Sequence, residues 1–315
     1  MALFTVSLHQ ISIMGLMILI GFYCYKKKFV NKDQTQALSR VLLNVINPMV
    51  LFQSFQTSLT PELLKSIAGS FILNAVGLFL LIFIRPLLIK KKNNPYVAEE
   101  SIAFIYSNSG FVVIPLANAL WGSTGVIYVT PYLTVSNLFF WTHAYTTMSG
   151  QKIDRHNIVK SLTTPILLGI YAGIFCTLTR IQPPALINET ISSLASMNTP
   201  LAMMIAGMTI AQTDIVAAFK KLRSYYIVFL KLIVAPVLTI LMCLPFAFMG
   251  FDPLMLTVLC LTVACPAAAS YVMLAITFEK NAIYCSELFA ISTLFSGLTL
   301  PLTVFMTRIF DIVAL

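Results

Sequence analysis

Two short stretches hold most of the groups in this chain that could do chemistry. One is Asn108-Ser109-Gly110, followed by Pro115; the other is Cys265-Pro266-Ala267-Ala268-Ala269-Ser270. Both lie inside long apolar runs. Asn and Ser bring amide and hydroxyl groups, while proline removes a backbone donor and clashes with the preceding turn. A helix broken at such a place ends in N–H groups and a positive dipole end, which together favour an anion. In hydrocarbon, irregular backbone is tolerated only where protein or an aqueous cavity surrounds it. Either break alone reads as an ordinary proline kink. As a matched pair flanked by Asn, Ser and Gly, the two point to a central anion site. It would use Asn108, Ser109, Gly110, Pro115, Pro266 and Ser270, with backbone N–H groups freed near the two prolines.

Charge inside apolar runs is scarce and costs several kcal/mol when unpaired, so each instance counts. Lys231 sits about nine residues into its run, ~13 Å at roughly 1.5 Å per residue, and Glu287 about six residues into its own, ~9 Å from the same side. These depths are compatible with a structural Lys231–Glu287 ion pair. They also allow Lys231 to act as counter-ion to an anionic substrate, or Glu287 as a proton-coupling group. Arg85, Glu99 and Glu100 fall near run ends, where they can snorkel and read as structural. Asn47, Asn137 and Asn198 are intramembrane amides that either bond across helices or line a cavity. Asn47 and Asn198 stand beside prolines and are candidates for gating. His9, His143 and His156 do not cluster, and His143 reads as a hydrogen-bonded packing residue. The six cysteines lie in apolar runs without C-x-x-C pairing, which predicts neither disulfides nor a metal site.

The elements that must position these groups are membrane helices. The 315 residues are 58% hydrophobic and only 10% charged, against about 25% charged in an ordinary soluble domain. Mean hydropathy is +0.89. Apolar runs lie near 5–25, 37–57, 64–89, 98–120, 123–148, 158–179, 185–212, 222–248, 253–278 and 281–307. Each is long enough for a helix of roughly 20 residues, and none alternates as a barrel strand would. The expected fold is therefore all-α and polytopic, with ten transmembrane helices. No phosphate-binding G-x-x-x-x-G-K-[ST] segment occurs, which excludes a built-in ATPase. The first run is not a cleaved leader, because its basic cluster Lys26-Lys27-Lys28 follows the apolar stretch.

The net charge of +9 would suggest nucleic acid in a soluble chain. Here fifteen Lys and Arg residues fall in alternate loops, among them Lys26–Lys28, Lys90–Lys92, Lys152, Arg155, Lys160, Lys220, Lys221, Arg223 and Lys280, against three (Lys65, Arg180, Arg308) on the other side. That asymmetry follows the positive-inside rule and excludes nucleic acid as partner. It predicts a multi-pass protein of the cell (inner) membrane with both termini extracytoplasmic.

Residues 1–150 and 151–315 repeat each other weakly. Asn47-Pro48 in the second run answers to Asn198-Thr199-Pro200 in the seventh; Arg85-Pro86 answers to Lys231 and Pro236; and the interrupted fourth run answers to the ninth. Five helices per half is an odd number, so the second half enters the membrane inverted. This is the inverted-repeat plan of secondary transporters.

The stretch Ser107-Asn108-Ser109-Gly110-Phe111-Val112-Val113-Ile114-Pro115-Leu116, with Trp121-Gly122 and Tyr128, resembles the fourth-helix signature of the auxin efflux carrier family. Pro200-Leu201-Ala202-Met203-Met204-Ile205-Ala206-Gly207-Met208 is similar to that family's seventh helix. Cys265–Ser270 and Leu294-Phe295-Ser296-Gly297-Leu298-Thr299-Leu300-Pro301 are similar to its ninth and tenth. The family includes bacterial malate and malonate permeases and plant PIN-type exporters. The resemblance implies two inverted five-helix repeats with broken, crossing helices 4 and 9. It further implies a scaffold of helices 1, 2, 6 and 7, a transport part of helices 3–5 and 8–10, and a homodimer through the scaffold. Asn108 matches the crossover asparagine, Pro115 the first crossover proline, and Asn137 a polar substrate contact. The second crossover proline of the family falls at Val272, six residues after Pro266, so the second break departs from the pattern. The short loop after the fifth run makes the chain look like a bacterial permease.

The expected function is alternating-access transport of a small carboxylate such as malate, with Lys231 supplying positive potential and Ser270 and Asn137 completing the polar shell. No cofactor is expected beyond a coupling ion, H+ or Na+. A membrane-embedded enzyme lacks its constellation here, since neither G-x-S-x-G, H-E-x-x-H nor paired intramembrane Asp occurs. A channel for organic anions is the remaining alternative, and saturable flux with counterflow distinguishes it.

Overall fold

Three of the four π-turns among the described residues stand just before a proline; the fourth, Phe140–Ala144, does not. The computed structural model describes residues 2–56, 60–91, 94–152, 159, 162–214 and 218–313, with side chains from residue 9 onward. Lys92, Arg155, His156 and Lys160, which entered the charge and histidine readings, lie outside the described residues. Among those described, the secondary structure is helical throughout, with no strands beyond one isolated bridge. Among the described residues the main helices are α1 (Ala2–Lys26), α2 (32–54), α3 (Pro61–Leu88), α4 (Val97–Ile105), α5 (109–121), α6 (123–149), α7 (Pro165–Thr179), α8 (Ala185–Ala211), α9 (Leu222–Phe248), α10 (Pro253–Ala264), α11 (Ser270–Thr277), α12 (Ala282–Met306) and α13 (Ile309–Val313). Five helical runs are long and apolar enough to cross a membrane: Pro61–Leu88, Ser109–Ser149, Ala185–Ala211, Leu222–Phe248 and Ala282–Val313.

Inside α2, α5 and α9 a five-residue π-turn ends two residues before a proline. The turns are Leu42–Ile46 before Pro48, Ser109–Val113 before Pro115, and Leu230–Val234 before Pro236. Proline donates no hydrogen bond, and its ring collides with the carbonyl four residues back. A widened turn moves that carbonyl aside without ending the helix, the usual home of a π-bulge. Pro115 therefore does not break its helix as the sequence reading expected. The N–H of Ile114 reaches Ser109 O across the wide turn, and the break lies upstream, at 106–108. The α5–α6 corner is made by Gly122, whose φ of 59° and ψ of −147° suit glycine far better than any residue with a Cβ.

Two helix crossings leave no room for side chains. A Cβ on Gly207 of α8 would stand 1.9 Å from Ile18 O of α1, and one on Gly21 of α1 would stand 2.0 Å from Met204 O of α8. The α2–α7 crossing is built alike, with Gly169 against Pro48 O at 2.4 Å and Gly173 against Phe52 O at 3.0 Å. Small residues that let backbones touch are the common device of helix association in lipid, where hydrophobic burial gives no net drive.

Contacts between the helix ends place the chain's charges. Arg223 at the start of α9 meets Glu100 at the start of α4, and Lys221 just before α9 meets Glu287 on α12. These helix starts and their basic loops thus share one end of the molecule, the basic end. Tyr128 of α6 donates to Asp252, the N-cap of α10, at the opposite end.

Gly207→Leu forces apart backbones that now touch, an overpacking cost of about 1–3 kcal/mol or more. Its melting temperature in detergent is expected to fall, while Gly15→Leu, where an added Cβ meets nothing within 4 Å, is expected to melt like the parent. Equal melting of the two variants would contradict the packing described.

Candidate functional site

The helical ladder stops at Ile105 and at Ala264, leaving 106–108 and 265–269 as extended or irregular backbone deep in the apolar interior. Each stretch finds its partners in the other. Ser107 and Ala267 face each other in an antiparallel bridge. Asn108 N–H donates to Pro266 O at 2.8 Å, and Ala268 N–H donates to Tyr106 O at 3.1 Å. Pro266 lacks a donor but needs only its carbonyl here. The N–H groups of Ser107 and Ala267 point away from the bridge and are met by hydroxyls. Tyr132 of α6 accepts from Ser107 N–H at 3.3 Å, and Ser292 of α12 accepts from Ala267 N–H at 3.2 Å. Buried polar backbone without such partners would cost several kcal/mol in hydrocarbon.

Lys231 joins this crossing from the π-turn of α9. Its Nζ donates to Ser107 Oγ at 2.7 Å, and that hydroxyl donates onward to Val263 O at 3.2 Å. Lys231 is 1% exposed and makes no ion pair among the described residues. The Lys231–Glu287 pair, one of the readings that the residue depths allowed, is therefore not made. The two side chains lie at similar depths but point to different places, and both Glu287 oxygens receive Lys221 Nζ, at 2.8 and 2.6 Å.

Two half-helices begin at the crossing. Asn108 precedes α5 and Ala269 precedes α11, and the first N–H groups of a helix have no acceptor within it. Ser109, Gly110 and Ala269 are half-buried and Ser270 is exposed, so this side of the crossing is open. The Asn108 side chain is 4% exposed, and its Nδ2 finds no acceptor among the described residues. Asn47 of α2 donates from Nδ2 to Gly110 O at 3.1 Å, and Asn198 of α8 donates to Asn47 Oδ1 at 2.5 Å. A Cβ on Gly110 would stand 3.2 Å from Asn47 Nδ2 and 3.3 Å from Leu43 Cδ2, a tight contact with the ends of two side chains of α2.

The structure thus brings Asn108, Ser109, Gly110, Pro266, Lys231, Asn47 and Asn198 together. Ser270 starts α11 at the edge of the group, and Pro115 lies inside α5, beyond its first turn. Asn137 donates from Nδ2 to Thr164 Oγ1 at 3.2 Å. Glu99 and Glu100 do not snorkel: they are 3% and 0% exposed. His143 packs under Tyr106 OH, 3.0 Å from its Nδ1. Ser107, Tyr132 and Ser292 were missed by the sequence reading. Ser107 could have been found from its place beside Asn108. Tyr132 and Ser292 carry no local signal beyond being polar in apolar helices.

A family described as membrane transport protein matches residues 6–304. The chain belongs to this family, the auxin efflux carriers of the sequence resemblance. Almost the whole transporter is covered, including both interrupted segments and the helices that support them. Among curated proteins, none matches this chain.

Tyr132→Phe leaves Ser107 N–H without an acceptor in the interior of the transporter. A stability loss of about 1–3 kcal/mol is expected, read as lower thermal stability in detergent, and Ser292→Ala is expected to act in the same direction. Unchanged melting of both variants would remove the hydroxyls from the support of the crossing.

Proposed function

We propose that the chain is a secondary transporter that carries a small organic anion, a malate-like carboxylate, by alternating access at the helix crossing. The observation that carries this reading is the buried Asn108 amide, a hydrogen-bond donor with no acceptor among the described residues, beside two helix N-termini and the buried Lys231 side chain, which makes no ion pair among them. A carboxylate supplies acceptors and a negative charge to such a set. Ser109 Oγ and the first-turn N–H groups of α5 and α11 would complete its shell, with Ser270 at the rim. Asn137, held by Thr164, would reach the substrate only after a rearrangement of α6.

In this reading the helices described above make ten spans, with α4–α5 and α10–α11 as two broken spans and α13 as an appendage. Residues 1–150 and 151–315 form two inverted repeats. The paired glycine crossings support it: α1 on α8 and α2 on α7 exchange places when the halves are exchanged. These four helices would be the scaffold (helices 1, 2, 6 and 7 of the ten), and a homodimer would form through them. The remaining six spans would move against it, with the Asn198–Asn47–Gly110 contacts as the joint. The basic end would face the cytoplasm and both termini the outside of the cell membrane. The coupling ion would be H+ or Na+.

The test is counterflow of labelled malate in proteoliposomes, challenged with unlabelled carboxylates. Saturable accumulation competed by some acids is expected for a carrier, and absence of counterflow with every acid would point to a channel or another ligand class. Asn108→Ala is expected to abolish counterflow while the protein still elutes and melts as folded. Parental uptake in that variant would remove Asn108 from the site.

A further inference from the structure

A cavity of about 190 Å³ lies at the end of the molecule opposite the basic one. Its walls are Trp121 at the α5–α6 corner, Leu254 and Thr257 in the first turns of α10, Val304 near the end of α12, and Arg308 and Asp311 at α13. Leu254 stands ten residues before Ala264, where α10 stops at the crossing, so the cavity is ~15 Å away at roughly 1.5 Å per residue. The floor is fixed. Phe310 of α13 is fully buried and Val304 nearly so, and α13 packs on α9 and α10.

The two charges of the cavity are left over from everything around them. Residues three apart on a helical turn are close enough to pair, and Asp311 N–H closes that turn onto Arg308 O at 3.1 Å. Arg308 is half-buried and Asp311 exposed, yet neither makes an ion pair with the other or with any group among the described residues. The other charges at this end are taken or stand outside the cavity wall. Asp252 accepts from Tyr128 OH and from Leu254 N–H. Glu62 and Lys65 are exposed in the first turns of α3, and Arg180 is exposed at the end of α7. The cavity therefore offers one cation and one anion a helical turn apart, beside the apolar surfaces of Trp121, Leu254 and Val304. A lone anion gains Arg308 and is repelled by Asp311, and a lone cation meets the reverse. A ligand carrying both charges gains from both. Roughly 150 Å³ admits a benzene ring, so the space suits a group the size of a small aliphatic amino acid.

We propose that this cavity binds a small zwitterion, with its carboxylate or phosphate on Arg308, its ammonium on Asp311 and its apolar part against Trp121, Leu254 and Val304. Two sources present that chemistry to a membrane protein. One is a free α-amino acid with an aliphatic side chain. The other is the headgroup of phosphatidylethanolamine, in which a short linker joins phosphate and ammonium. The site is separate from the helix crossing and does not rest on what the crossing carries. A ligand seated there bridges the corner after α5 to the start of α10 and to the end of α12.

The test uses the one tryptophan that lines the cavity. The chain has two, and Trp141→Phe leaves Trp121 as the sole indole reporter. The full chain with this change, purified in detergent without added lipid, is titrated with leucine. It is also titrated with 4-methylpentanoate, which lacks the ammonium, and with 3-methylbutylamine, which lacks the carboxylate. Equilibrium dialysis of labelled leucine against the unaltered chain reads the same binding without the tryptophan change. Leucine is expected to shift Trp121 emission saturably, and each half-ligand to bind about tenfold more weakly or worse, the size of one charge-assisted hydrogen bond. Arg308→Gln and Asp311→Asn are expected to lose leucine binding by a similar factor while melting like the parent. If the lipid is the source, leucine gives no signal. Nanodiscs of phosphatidylethanolamine then shift Trp121 emission relative to phosphatidylglycerol, and Asp311→Asn removes the difference. Silence in both arms, or a response that survives both substitutions, would overturn the proposal. So would 4-methylpentanoate binding as well as leucine, which would make the cavity a plain anion site.

Discussion

Backbone polarity in an apolar interior is the constraint from which the rest of this structure follows. Helices satisfy their own peptide groups, and an interrupted helix does not. Two interruptions placed against each other solve the problem reciprocally. The Ser107–Ala267 bridge gives each break two main-chain hydrogen bonds from the other, and Tyr132 and Ser292 meet the N–H groups that the bridge leaves over. Neither break is stable alone, so both halves of the chain are needed at one point. That point is also where helix N-termini, the Asn108 amide nitrogen, without an acceptor among the described residues, and the buried Lys231 side chain converge, because the geometry that exposes N–H groups to each other exposes further ones beside them.

The supports of this point differ in stiffness. At the α1–α8 and α2–α7 crossings, glycines let main chains touch, and such contacts cannot slide without opening voids. The join between α2 and the crossing is of another kind: one amide hydrogen bond from Asn47 to Gly110 O, backed by Asn198. Neutral hydrogen bonds contribute about 1 kcal/mol net and can be exchanged for others. A rigid pair of helix crossings hinged on exchangeable amides is what relative motion between two parts requires.

Much of this was legible in the sequence, and the exceptions share a cause. The all-helical character came from uniform hydrophobicity, and the two interruptions came from Asn108-Ser109-Gly110 and Cys265-Pro266, because a matched pair of such breaks reads as more than two proline kinks. The break at 106–108 was nevertheless misplaced toward Pro115, since a π-turn can absorb a proline and sequence does not announce the turn. The partner of Lys231 was also misjudged. Depth along a helix can be read from residue spacing, but the direction of a side chain depends on the wide turn Leu230–Val234 that carries it. Glu99 and Glu100 looked like interface residues because they open a helix, and only the fold reveals that α9 and α12 cover them.

The charges left over have a common logic. In the proposed carrier, Lys231, buried at the crossing without an ion pair among the described residues, would supply positive charge when protonated, and a charge in low-dielectric surroundings resists being moved. In the proposed carrier, a bound anion neutralises that charge, so the loaded crossing moves at a lower electrostatic cost than the empty one. Such a carrier exchanges one anion for another more readily than it returns empty. In that proposed carrier, net transport would need a second way to change the charge balance of the moving part. Among its buried carboxylates, Glu100 and Glu287 are locked to Arg223 and Lys221. Among the described residues Glu99 alone of the three has an oxygen without a partner, and it sits on the half-helix that ends at the crossing.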